Sequence, residues 1–119
     1  LGSSDAARLF AIETTTGVQR WESDLHGISW GRPALTFDRV YAAVRFSPSI
    51  APHDGGLIAL DRDTGRAAWH YPCDRPAGAT HRGFGASPVV SRGRVLVGGL
   101  DGVLYAFEEG DPQSTSRRR

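Results

Sequence analysis

Methionine and lysine are both absent from the 119 residues, and cysteine occurs once, as Cys73. A chain with no initiator methionine is expected to be a processed product or a piece of something longer. A leader missing from its start therefore says little about compartment. A single thiol excludes an internal disulfide. No window approaches the roughly eighteen consecutive apolar residues that a membrane-spanning helix needs. Charge of one sign is lacking too. A formal net charge of +1 gives no electrostatic footprint for nucleic acid or an acidic membrane surface. No stretch sustains a 3.6-residue apolar period between caps, so no helix is expected. What is abundant is turn chemistry. With Gly at 15 and Pro at 7, the composition favours many short strands.

Internal repetition organises the chain. The segment Leu9-Phe10-Ala11-Ile12-Glu13, followed by Gly17 and Trp21, returns as Leu57-Ile58-Ala59-Leu60-Asp61, followed by Gly65 and Trp69, 48 positions later. A third copy begins at Leu104-Tyr105-Ala106-Phe107-Glu108 and stops before a Gly-to-Trp half. A second pattern also recurs. Gly31-Arg32-Pro33-Ala34-Leu35 is echoed by Ala86-Ser87-Pro88-Val89-Val90, and Arg39 to Val44 by Arg94 to Gly99.

Each recurring piece reads as a strand bounded by turn residues. Asp63-Thr64-Gly65 and Ser91-Arg92-Gly93 are tight-turn sequences. The expected fold class is all-β. Labelling four strands A to D per unit gives C and D at 8–13 and 18–24. A full unit follows at 33–37, 39–45, 57–61 and 66–71. A, B and C of a third fall at 87–91, 94–99 and 103–108. Residues 1–7 and 111–119 are polar and are expected to be disordered. The repeats thus occupy 8–110.

Ala59, Asp61, Gly65 and Trp69 have a spacing that resembles the tryptophan-docking motif of PQQ-like (quinoprotein-type) β-propeller repeats. Ala11, Glu13, Gly17 and Trp21 match it with Glu in place of Asp. The resemblance implies an incomplete β-propeller of about two and a half four-stranded antiparallel blades. In that reading the eight residues dock one blade against the next. Ala lets an indole of a neighbouring unit lie close. The carboxylate fixes the turn, Gly makes the C-to-D turn, and Trp joins the blades.

Successive turns of a meander alternate between the two ends of a blade. The long B-to-C and D-to-A connections therefore emerge together. They carry His53, Asp54, Arg75, His81 and Arg82, with Phe84 and Pro48, and form the expected partner-binding face. The catalytic inventory is thin. The four histidines show no metal-ligand spacing, and His70 with Cys73 makes an incomplete metal pair, better read as a partly buried His and a free thiol. Ser87 lacks a nucleophile-elbow frame. Gly83 and Gly85 precede no helix that would supply an anion site.

No catalytic, cofactor-binding or metal residue is therefore assigned, and no enzyme activity is expected. The resemblance implies a protein-interaction scaffold, as in outer-membrane assembly machinery, or a sensor-domain element, as in bacterial Ser/Thr kinases. A cell-envelope or periplasmic setting is implied by resemblance alone. The alternative is a fragment of a quinoprotein dehydrogenase acting on alcohols or sugars, and only there would PQQ and calcium enter. Such enzymes often add a vicinal cysteine pair, which this sequence lacks. The expected partner is a protein or the remaining blades of a larger propeller, with self-association, and neither nucleic acid nor membrane insertion.

Overall fold

The computed structural model describes residues 2–4, 8–25, 31–46, 56–72, 82–84, 87–99, 102–108 and 111–118. At 2–4, 45, 46, 72, 82, 83 and 111–118 the description is of backbone alone. Every regular element among these residues is a strand. Three antiparallel sheets form. The first runs β1 (Gly2–Ser4), β2 (Arg8–Ile12), β3 (Gln19–Asp24) in spatial order. The second runs β4 (Ala34–Leu35), β5 (Arg39–Phe46), β6 (Gly56–Asp61), β7 (Ala67–Pro72), with β8 (Arg82–Gly83) paired to the far end of β5. The third holds β9 (Val89–Ser91), β10 (Arg94–Gly98), β11 (Leu104–Glu108) and β12 (Asp111–Arg118), each hydrogen-bonded to the next.

The sheets stack face to face, and the middle one is covered on both sides. This explains why its central strands are apolar at successive positions instead of alternating. Val40, Ala42 and Val44 of β5, with Ile58 and Leu60 of β6, pack toward Leu9 and Trp21 of the first sheet. Tyr41, Ala43, Leu57 and Ala59 project the other way, toward Val95, Tyr105 and Phe107 of the third. Period-2 geometry turns one continuous apolar run into two interfaces. A fully buried side chain of this size contributes about 1.5–3 kcal/mol, so the two-sided sheet is where stability concentrates.

The same irregularity recurs in the first two sheets. In β3 the register steps from Ala11↔Trp21 to Ile12↔Gln19, which leaves Arg20 as an extra residue. In β7 it steps from Ala59↔Trp69 to Leu60↔Ala67, which leaves Ala68. Each is a β-bulge immediately before a tryptophan, a device that re-aims the next side chain and strengthens local twist. At the β9–β10 hairpin, Arg92 and Gly93 both take positive φ, 52° and 76°. That is the two-residue turn whose twist matches the flanking strands.

The two ends differ from the sequence expectation. Residues 2–4 pair with Phe10, Leu9 and Arg8 of β2. Residues 111–118 pair along β11 and take the fourth-strand position of the third sheet. The reason is that an edge strand presents unpaired N–H and C=O groups, and backbone pairing needs no apolar alternation from its partner. The D-to-A connection also departs from the loop expected there, because β8 pairs Gly83 with Arg45 and Arg82 with Phe46.

Candidate functional site

The site assembles at the β2–β3 turn of the first sheet and the β6–β7 turn of the second. In the turn after β6, the Gly65 N–H donates to the Asp61 carbonyl at 2.8 Å, and the Asp61 N–H donates to Arg66 O at 2.7 Å. One carboxylate oxygen of Asp61 accepts from the backbone N–H groups of Asp63 (2.9 Å) and Thr64 (3.1 Å). An Asp at the head of a turn supplies this fixed acceptor. The turn after β2 has the same backbone bonds: Gly17 N–H to Glu13 O at 2.8 Å and Glu13 N–H to Val18 O at 2.8 Å. Thr16 and Thr64 occupy matching places. Their hydroxyl oxygens accept from the N–H groups of Val18 (3.3 Å) and Arg66 (3.2 Å) respectively. Glu13 is one methylene longer than Asp61, and its carboxylate instead lies 3.8 Å from Arg20 Nη1.

Trp21 crosses from the first sheet to the second. It is 8% exposed. Its indole N–H donates to the Arg62 carbonyl at 2.8 Å. Its ring lies on Gly65, where an added Cβ would fall 2.5 Å from Cε3 of the indole. Gly65 is thus required twice, by a φ of 75° and by the ring above it. Arg62 is itself anchored. Its N–H donates to Asp38 O at 2.9 Å and its guanidinium to Thr36 O at 2.8 Å. The indole therefore binds a turn already tied to the A-to-B turn of the same sheet.

The role of the alanines is different from the one expected. Ala11 faces Trp21 of its own sheet, and Ala59 faces Trp69 of its own sheet. Small size there leaves room for the sheet's own indole, while the neighbour's indole rests on glycine. Trp69 is half-buried and lies between Tyr41 and Phe107, each with a ring-centroid distance of 5.9 Å. It thus reaches the third sheet as Trp21 reaches the second. The third-sheet turn that corresponds to Asp61–Gly65 contains residues 109 and 110, outside the described residues.

Beside Trp21 the two turns enclose an open crevice of about 250 Å³, whose lining includes Glu13, Thr14, Arg20, Leu35, Arg62 and Asp63. At the start of the A strands the second and third sheets meet closely. The Arg32 N–H donates to Ser87 Oγ at 2.8 Å, and a Cβ on Gly31 would lie 2.9 Å from the Ser87 nitrogen. Ser87 thus serves as a hydrogen-bond acceptor between sheets.

The expected partner-facing loops lie mostly outside the described residues. His53, Asp54, Arg75 and His81, like Cys73 and Pro48, lie outside the described residues, and Arg82 is described only through its backbone pairing in β8. Phe84 is a correction. It is 1% exposed, its N–H donates to Val44 O at 3.0 Å, and its ring sits 5.0 Å from that of Tyr105. The β8 pairing draws it into the core and off the surface. His70 is likewise exposed, not partly buried. Two features escaped the sequence reading. One is the Arg62 carbonyl, findable only as the residue after the motif Asp. The other is Phe37, 98% exposed at the tip of the A-to-B turn. Among the described residues no group of three or more His, Cys, Asp or Glu is placed to hold a metal ion.

Known proteins share this architecture. BamB from Moraxella catarrhalis superposes with a TM-score of 0.65 at 24% identity, over 93% of this chain and 30% of that one. Quinohemoprotein alcohol dehydrogenase from Comamonas testosteroni superposes with a TM-score of 0.67 at 23% identity, over 92% of this chain and 18% of that one. Both likenesses establish a β-propeller fold, of which this chain is a part. It spans less than a third of the length of either structure. Comparison with curated protein sequences gives no match. A family model described as outer membrane protein assembly factor BamB matches residues 2–113. With nearly the whole chain inside that match, and with its docked sheets and repeated Ala, acid, Gly, Trp spacing, the protein belongs to the PQQ-like propeller repeat family.

Proposed function

We propose that this chain is a non-catalytic propeller segment that works as a protein-interaction scaffold or sensor-domain element. One observation carries the reading: positions buried in the middle sheet are open in the outer two. Leu60 is 1% exposed, whereas Ile12, its counterpart in the first sheet, is 49% exposed. Leu57 is 0% exposed, whereas Leu104, its counterpart in the third, is 47% exposed. Apolar sheet faces of this kind call for a protein cover, either the remaining blades of a propeller or a separate partner. Ala11, Glu13, Gly17, Trp21, Ala59, Asp61, Gly65 and Trp69 are the docking elements in this reading. The loops with His53, Asp54, Arg75, His81 and Arg82 are the proposed partner-facing surface. The match to the BamB family model supports an interaction role in the cell envelope.

Titration with PQQ and calcium tests the non-catalytic reading. The expected result is no stoichiometric quinone absorbance and no dye-linked alcohol oxidation. A stoichiometric, active holo-form would replace the scaffold reading with that of a dehydrogenase fragment.

A further inference from the structure

Phe37 is the most exposed large apolar side chain among the described residues, at 98%. The turn that carries it is tied on both flanks. The Thr36 N–H donates to Arg39 O at 2.9 Å, and the Arg39 N–H donates to the Thr36 hydroxyl oxygen at 3.1 Å. From the β6–β7 turn, Arg62 donates its N–H to Asp38 O and its guanidinium to Thr36 O. The matching turn of the third sheet carries Arg92 and Gly93 and no aromatic ring. A free ring on a rigid turn loses little conformational entropy when it is covered, which suits an interface anchor.

A hollow for such a ring lies at the same end of the molecule. Arg62 joins the two features, since it also lines the crevice between the first and second sheets. The apolar part of that lining includes Ala11, Trp21 and Leu35. Leu35 pairs with Val40, which packs toward the first sheet, and keeps 47% of its surface open. The crevice holds about 250 Å³, and about 150 Å³ of apolar space accommodates a benzene ring. Each wall carries one acid and one base, Glu13 with Arg20 and Asp63 with Arg62. Two such surfaces meet without net like-charge repulsion. We propose that Phe37 of one copy of this chain enters the crevice of a second copy, which returns the same contact. Knob and hollow at one end of one chain make the contact isologous, so it closes at two copies. It goes beyond the scaffold reading, because it uses the turn end and leaves the open sheet faces free.

The test is made in the Leu104→Lys chain, whose charged third-sheet face isolates this contact. Sedimentation equilibrium is expected to show a dimer and no larger species. Adding Phe37→Ser removes both rings, at about tenfold each, and is expected to weaken pairing about a hundredfold. Adding Leu35→Glu instead blocks both hollows and is expected to do the same. Mixed together, those two chains regain one ring in one hollow. The mixture is expected to pair about tenfold more tightly than either chain alone. Pairing unchanged by Phe37→Ser, or no recovery on mixing, overturns the proposal. Should Leu35→Glu fail to fold, N-acetylphenylalaninamide is titrated into the Phe37→Ser chain by amide NMR. Saturable shifts at Ala11, Leu35 and Arg62 support the hollow, and their absence overturns it. A Leu104→Lys chain that stays monomeric at every concentration removes this contact and keeps the open-face reading. Association that is insensitive to Leu104→Lys but lost with Phe37→Ser removes the open-face contact and keeps this one.

Discussion

Trp21 is held by two unlike contacts, a ring on Gly65 and a hydrogen bond to the Arg62 carbonyl. They can be separated by substitution. Trp21→Phe keeps most of the ring and removes the donor, with an expected cost of about 1–2 kcal/mol. Trp21→Ala removes both and is expected to cost about 3–5 kcal/mol. Urea unfolding followed by circular dichroism measures the two. Equal costs would show that the hydrogen bond, not the ring, holds the sheets. The two turn glycines give a second contrast. Gly17→Ala meets only the positive φ and is expected to cost about 1 kcal/mol. Gly65→Ala must also displace the indole, and overpacking raises its expected cost to roughly 2–4 kcal/mol. Similar values for the two would place Trp21 elsewhere in solution. Much of this was legible in the sequence, because Ala, acid, Gly and Trp recur at fixed spacing and each has a local geometric reason. The partner of each residue was less legible. Spacing alone does not say whether alanine accommodates its own sheet's indole or its neighbour's.

At the scale of the strand, pattern and pairing are separate signals. The central strands β5, β6, β10 and β11 announced themselves through β-branched and apolar residues between turns. The segments 2–4 and 111–118 did not, since their serines, arginines and aspartates carry no apolar alternation. They pair through backbone groups that every sequence has. Bulges at Arg20 and Ala68 were invisible for a related reason, since a one-residue register step leaves no compositional mark. Phe84 stands alone in a glycine-rich connection, so nothing beside it signalled burial. The terminal strand yields its own prediction. Deletion of 111–118 uncovers the edge of β11, and the shortened chain is expected to aggregate faster on warming, read by static light scattering. Unchanged aggregation would mean that β12 does not protect that edge.

As a whole, the molecule is a stack with a finished middle and unfinished ends. Among the described residues the middle sheet buries both faces, and the outer sheets bury one each. Repeat arrays gain most of their stability from such neighbour interfaces and need caps or further units at their termini. The two open faces are unlike one another, so pairing of one with the other between copies would be heterologous, closing into a ring or extending into an open filament. Leu104→Lys places a charge on the open face of the third sheet and is expected to weaken association between copies without altering the circular dichroism spectrum. Association that persists unchanged would move the contact to another surface. The radial-stack reading meets its most direct test in sedimentation velocity of the isolated, unmodified chain across a wide concentration range, with a thermal melt on the same samples. Sedimentation coefficients that rise with concentration, and a melting temperature that rises with them, are expected. A concentration-independent monomer with a sharp, high-temperature melt would contradict it.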